Sequence, residues 1–102
     1  MLTEREYQRK TLPKIKKMFP GCFVLKDDGS NTPQGFPDIL IIYKEKWAVL
    51  EFKRSEEARY KELQPNQEYY VDLLKTRCAF SSFIYPEIEK EVLNGLQQAF
   101  GA

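Results

Sequence analysis

Two apolar, β-branched runs joined by a brief charged link constrain this chain more than any other feature. They are Ile39-Leu40-Ile41-Ile42-Tyr43, the link Lys44-Glu45-Lys46, and Trp47-Ala48-Val49-Leu50-Glu51-Phe52-Lys53. Runs this short and this apolar read as a hairpin at the centre of a sheet. Side chains alternate along a strand, so Trp47, Val49, Glu51 and Lys53 share one face, and Ala48, Leu50 and Phe52 take the other. A two-residue turn at Lys44 and Glu45 sets Asp38 opposite Glu51; a turn at Glu45 and Lys46 sets it opposite Lys53 and diagonal to Glu51. In either register the three charged groups share a face within roughly 5 to 8 Å. A three-residue link would put Asp38 on the other face unless a bulge corrects it.

The rest of the chain supplies helices around that hairpin. Thr3-Glu4-Arg5-Glu6 reads as a capping box, followed by Tyr7, Thr11, Ile15 and Met18 at helical spacing. Pro13 falls inside that pattern and should kink or split the helix before Pro20-Gly21 ends it. Cys22 to Leu25 reads as a short strand, Asp27 to Gly35 as a long polar loop, and Arg54 to Lys61 as a charged stretch. A second helix follows, opened by Pro65 or capped by Asn66, with Tyr70, Val71 and Leu74 at helical spacing. Ala79 to Tyr85 reads as a fourth strand, and Pro86 starts a last helix with Ile88, Val92, Leu96 and Ala99 as its apolar stripe. The expected fold is α/β (α+β), one domain over residues 1–102, in the order α-β-β-β-α-β-α with a mixed central sheet flanked by helices.

Composition narrows the chemistry. The chain has no histidine, which removes Ser-His-Asp and Cys-His catalysis and the commonest transition-metal ligand. Cys22 and Cys78 have no metal-ligand spacing and read as reduced, half-buried small hydrophobes. No apolar window approaches the roughly 18 residues of a membrane span, and the first residues lack a signal peptide's apolar stretch, so an intracellular, soluble protein without a membrane partner is expected. The net charge of +1 hides a division: residues 1–26 carry seven Lys or Arg against two Glu, and residues 27–52 carry five Asp or Glu against two Lys. A basic first helix beside an acidic centre suits a polyanion-binding protein with an acidic metal site, though a solvated helix face has the same charges.

Glu51 and Lys53 alone could be an edge-strand ion pair. Asp38 on the same face makes that insufficient, because two carboxylates so close raise one another's pKa unless a cation lies between them. Mg²⁺ or Mn²⁺ suits carboxylate, carbonyl and water oxygens and keeps waters for chemistry. With Lys53 beside it, such a cation makes a phosphodiester-hydrolysing site that needs no histidine.

Gly35-Phe36-Pro37-Asp38, a hydrophobic strand, then Glu51-Phe52-Lys53 resembles the PD-(D/E)XK nuclease motif, and the order of elements resembles that superfamily's restriction-endonuclease-like core. Within it the chain looks most like the VRR-NUC and Holliday-junction-resolvase-like nucleases often found in phages. The resemblance implies a divalent-metal-dependent DNA endonuclease in the host cytoplasm, acting on branched or duplex DNA, as a homodimer. It makes Asp38 and Glu51 metal ligands, adds the backbone carbonyl of Phe52, and has Lys53 position the attacking water. Gln67 would hold the Lys53 region or the scissile phosphate, unless it is a surface amide at a helix start. A helix-one glutamate, Glu4 or Glu6, would join the metal site; Glu6 is equally the capping-box partner of Thr3. Arg5, Arg9, Lys10, Lys14, Lys16 and Lys17, with Arg54 and Arg59, are candidates for phosphate contacts. Tyr69 and Tyr70 read as core or subunit contact. The alternative is a non-catalytic nucleic-acid-binding or assembly module on the same scaffold.

Overall fold

Thr3 caps the first helix as its sequence dictates: the Glu6 amide donates to Thr3 Oγ1 at 3.1 Å and the Thr3 amide donates to Glu6 Oε1 at 2.9 Å. The computed structural model describes residues 2–101. Helix α1 (Glu4–Met18) is followed by β1 (Phe23–Lys26), β2 (Ile39–Tyr43), β3 (Lys46–Phe52), α2 (Glu56–Lys61), α3 (Gln67–Leu74), β4 (Phe80–Ile84), a 3-10 turn at Pro86–Ile88 and α4 (Glu89–Phe100).

The four strands form one mixed sheet in the order β1-β2-β3-β4, antiparallel except for the β3–β4 pair. Ile39 faces Leu50 and Tyr43 faces Lys46, so the turn is Lys44-Glu45, the first of the two registers. Lys44 takes a φ of 56°, the positive value that lets a two-residue turn follow the strands' right-handed twist.

One face of the sheet carries the main core. Ile39, Ile41, Ala48, Leu50, Phe52 and Ile84 pack there against Tyr7, Leu12 and Ile15 of α1 and Val92, Leu93, Leu96 and Phe100 of α4. Phe100, rather than Ala99, closes the α4 stripe. On the opposite face α3 packs over β3 and β4, with Val71, Phe83 and Tyr85 in a smaller cluster. β3 is therefore covered on both sides, as a central strand between two helical layers must be.

Two expectations need correction. Pro13 neither kinks α1 into two helices nor splits it; α1 runs unbroken. Pro13 and Arg9 are both on the exposed side, so the carbonyl that Pro13 leaves without an amide meets water, while burial of Tyr7, Thr11, Leu12 and Ile15 holds both halves on the core. The stretch Arg54 to Lys61 is not merely charged but contains α2, making the order α-β-β-β-α-α-β-α. Ser55 Oγ accepts from the Ala58 amide at 3.1 Å, and Glu56 and Glu57 at the start with Arg59 and Lys61 at the end match the helix dipole. Ser55→Ala should cost about 1 kcal/mol of stability, read by denaturant unfolding; an unchanged midpoint would remove the cap from the account.

Cys22 and Cys78 are free and half-buried. Among the described residues no helix is long and apolar enough to cross a membrane.

Candidate metal and phosphate site

The hairpin register carries Asp38, one residue before β2, to the position facing Glu51. Its Oδ2 accepts from the Phe52 amide at 3.1 Å, which ties the carboxylate to the end of β3. Glu51 is 1% exposed and Lys53 3%, because α3 and the segments before it close over this end of the sheet.

Gln67, the first residue of α3, reaches back to this pair. Its Nε2 donates to Glu51 Oε2 at 3.0 Å, while its Oε1 accepts from the Gln64 amide at 2.9 Å. The second bond turns the carboxamide so that its donor faces Glu51. Gln67 is thus a carboxylate-holding residue, not a surface amide, and it contacts Glu51 rather than Lys53. The Lys53 ammonium instead donates to the Glu62 carbonyl at 2.9 Å, an acceptor left free at the C-terminal end of α2. Arg54 pairs with the Glu62 side chain, so α2 anchors both basic residues that follow Glu51.

Gly35 sets how closely the polar loop approaches α3. It has φ +93°, and a Cβ there would lie 2.5 Å from the Pro65 oxygen and 2.7 Å from the Asn66 Cβ. Asn66, itself at φ 67°, immediately precedes Gln67. A side chain at position 35 must therefore push away the segment that delivers Gln67 to Glu51. Gly35→Ala should cost about 1 to 3 kcal/mol and disturb the site; wild-type stability would mean that the loop yields without strain. Phe36 packs on Tyr70, ring centroids 6.1 Å apart, and an open cleft of about 450 Å³ lined by Asp27, Thr32, Gln34, Asp38, Gln64 and Gln67 leads to the carboxylates.

The electrostatics match the burial. Desolvation, then the charge and hydrogen bonding of Asp38, push the Glu51 carboxyl up to about 9. Desolvation also raises Asp38, against the pull of Glu51, the Phe52 amide and Lys53. Two ionised carboxylates are acceptors only and bond each other only when one keeps a proton. Glu51 Oε1 is buried without a hydrogen-bond partner, the one such side-chain atom among the described residues. That orphaned oxygen, beside a second carboxylate, fits a hard cation. Among the described residues no three His, Cys, Asp or Glu side chains converge as a ready metal cluster, so this chain offers two carboxylates and must add backbone or water oxygens.

The two helix-one glutamates separate. Glu4 is half-buried, its pKa raised by desolvation and then by Asp38, with Lys53 opposing. Glu6 is exposed, and its carboxylate is used by the Thr3 cap, which lowers its pKa. The structure brings Glu4 toward the site and keeps Glu6 out of it; a capping box needs its glutamate on the helix rim.

The basic residues also divide. Lys14 is bonded to Glu89 at 2.7 Å, Arg54 is paired with Glu62, and Arg59 with Glu68 at 3.3 Å. Arg59 also lies over the Phe83 ring, 3.8 Å from its centroid. Arg5, Arg9, Lys10, Lys16 and Lys17 are exposed along α1. Tyr70 is half-buried, while Tyr69 is 60% exposed and meets the Tyr70 ring edge-on, centroids 5.0 Å apart.

Glu62, Gln64 and the contact between Gly35 and Asn66 were missed by sequence reasoning. Glu62 and Gln64 act through backbone groups, which carry no residue signature; the glycine two residues before Pro37 was the one available signal. No family model, no curated protein and no solved structure matches this chain.

Proposed function

We propose that this protein is a divalent-metal-dependent endonuclease of the PD-(D/E)XK type, hydrolysing DNA phosphodiester bonds. The observation that carries the reading is the Asp38–Glu51 pair next to Lys53: Glu51 is buried with its Oε1 unpartnered, and Asp38 is half-buried at an open cleft. Burying Glu51 against a second carboxylate is costly for folding alone, and a hard cation would relieve that cost.

Asp38, Glu51 and the Phe52 carbonyl would hold Mg²⁺ or Mn²⁺, which when bound supplies Lewis acidity toward a phosphoryl oxygen and a more acidic water. Gln67 keeps Glu51 in orientation through its own bond to Gln64. The Lys53 ammonium, steered by Glu62, provides positive charge for the negative charge that develops at phosphorus. Glu4 adds a further carboxylate at the rim. Arg5, Arg9, Lys10 and Lys17 grip the DNA backbone without reading sequence. Branched or otherwise structured DNA is the favoured substrate class, and a two-fold dimer the favoured assembly, both on the resemblance of the motif.

Labelled four-way junction, nicked duplex, single-stranded and linear duplex DNA, each with Mg²⁺, Mn²⁺ or EDTA, test this against Glu51→Ala. Metal-dependent cutting lost in the variant is the expected result. Binding without any cutting would leave a non-catalytic nucleic-acid module instead. Neutralising Arg9 and Lys10 together should reduce the slope of log binding constant against log salt by about 2; an unchanged slope would move the DNA footprint off α1.

A further inference from the structure

The cleft beside Asp38 has the wrong charge for a phosphate. Asp27, Asp28 and Asp38 line it, and among the described residues no lysine or arginine does. A cation held by Asp38 and Glu51 leaves Asp27 and Asp28 to repel a second phosphate, while the exposed cations stand along α1. What the cleft offers instead is neutral hydrogen-bonding groups and a ring. Gln34 and Gln64 are exposed and line it, and among the described residues neither carboxamide is bonded to the protein; Gln64 gives only its backbone amide to Gln67. Phe36, also in the wall, is half-buried against Tyr70. The loop that forms the outer wall is preformed by its own bonds. Asp27 accepts from the Gly29 amide at 3.1 Å and the Thr32 hydroxyl at 2.6 Å, and Asp28 Oδ1 accepts from the Ser30 amide at 2.9 Å and hydroxyl at 2.7 Å. The Asp27 amide donates to the Asp38 carbonyl at 2.7 Å, which ties this loop to the start of β2.

These groups suit the uncharged part of a nucleotide. A carboxamide sets a donor beside an acceptor, the pattern with which glutamine pairs to adenine, and an aspartate accepts from the amine of cytosine. An aromatic wall receives a base by stacking. The cleft's volume of about 450 Å³ lies within the roughly 300 to 1,000 Å³ of small-ligand pockets. Its acidity also chooses among bases. Ionised carboxylates accept and never donate, so they meet the exocyclic amine of cytosine or adenine favourably and repel the carbonyl oxygens of thymine. A base stacked and paired in a duplex cannot enter such a cleft; it has to be unpaired or turned out of the helix.

We propose that the cleft between the Asp27–Gly35 loop and the Gln64–Gln67 segment is a nucleobase subsite, which takes an unpaired cytosine or adenine from the nucleotide next to the phosphate at Asp38 and Glu51. Gln34 and Gln64 bond the base edge, Asp27 and Asp28 accept from its amine, and Phe36 receives its face. The assignment of the neighbouring phosphate rests on the nuclease reading above; the base subsite itself binds with or without cleavage. Selection then falls on the identity of one extrahelical base rather than on the shape of a branch. DNA that carries an unpaired cytosine or adenine is preferred over the same DNA with thymine in its place.

The test is fluorescence anisotropy of the full chain in EDTA with labelled duplexes identical except for one bulged residue: cytosine, adenine, thymine or an abasic sugar. Backbone contacts are the same for all four, so differences in Kd report the base. Cytosine and adenine should bind about tenfold tighter than thymine, the scale of one good base contact, and the abasic sugar should bind weakest because it also lacks stacking. Gln34→Ala combined with Gln64→Ala changes two exposed side chains and keeps the Gln64 amide. This variant should melt with the wild type, bind the three bases alike, and bind the abasic duplex as the wild type does. One affinity for all four duplexes, a preference for thymine, or no binding at all would overturn the proposal. So would a double variant that still discriminates, or one that loses affinity for the abasic duplex, which would put the glutamines on the DNA backbone. With Mg²⁺ added, cutting without base discrimination would remove the subsite and leave the nuclease; discrimination without cutting would do the reverse.

Discussion

In chelator, Glu51→Gln should melt above wild type at pH 8 to 9 and together with it near pH 4.5. The folded protein holds the Glu51 proton up to about pH 9, whereas the ordinary value is 4.5. Between those limits the folded state binds more protons than the unfolded chain, so wild-type stability falls as pH rises, by at most about 1.4 kcal/mol per pH unit for this one group. Glutamine cannot ionise, so its curve loses that slope, and its carbonyl oxygen still accepts from Gln67. Parallel melting curves for the two proteins would mean that Glu51 ionises at its usual pH and that its burial is relieved by something other than a proton. Added Mg²⁺ should raise the wild-type melting temperature most at the alkaline end, since only the carboxylate binds a cation, and should leave Glu51→Gln little changed. A metal-independent curve for wild type would remove the cation from the proposed function while leaving the proton account intact.

The second large effect belongs to Lys53. Lys53→Met keeps most of the buried stem and removes the ammonium that donates to the Glu62 carbonyl. Cleavage should fall by about 10² to 10³-fold, the scale of losing one preorganised group that stabilises transition-state charge, with DNA binding unchanged. The variant also leaves Asp38 and Glu51 without the cation that opposes their raised pKa values. Both carboxyls should therefore hold their protons to still higher pH, and in chelator the alkaline loss of stability should run on to higher pH and reach a larger total. Full cleavage activity would sink the role given to Lys53. Lost cleavage together with lost DNA binding would instead make it a phosphate-gripping residue.

A different carboxylate shows the opposite dependence. Glu89 accepts from Tyr7 at 2.9 Å and from Lys14 at 2.7 Å. Burial raises its pKa, but the bonds from Lys14, Tyr7 and Thr11 outweigh that and lower it. Its contribution is therefore present above the unfolded value near 4.5 and lost as pH falls through the lower folded value. Glu89→Gln should flatten the acid limb of the stability curve and leave the alkaline limb, which Glu51 governs, in place. Loss of the alkaline limb as well would show that the two carboxylates are coupled through Tyr7 and Phe52, whose rings meet at 5.7 Å.

The sequence by itself determined the elements whose signals are local. Alternating side chains put Glu51 and Lys53 on one face, and the Thr3–Glu6 box was enough to open α1, because each rests on bonds or sterics within a few residues; Asp38 joined that face once the link proved to be a two-residue turn. Tertiary structure decided what depends on segments distant in sequence. Packing against the sheet kept α1 whole across Pro13, and α2 went unread because its one buried apolar residue, Ala58, is too small to give a periodic signal. Gln67 took hold of Glu51 rather than Lys53 because the Gln64 backbone turned its amide. Glu4 rather than Glu6 faced the carboxylates because the cap had already claimed Glu6. The cover over the hairpin was likewise invisible in the sequence. Leu40 and Val49 show the same apolar character on paper, yet α3 packs over β3 and β4, so Val49 is buried and Leu40 only partly so.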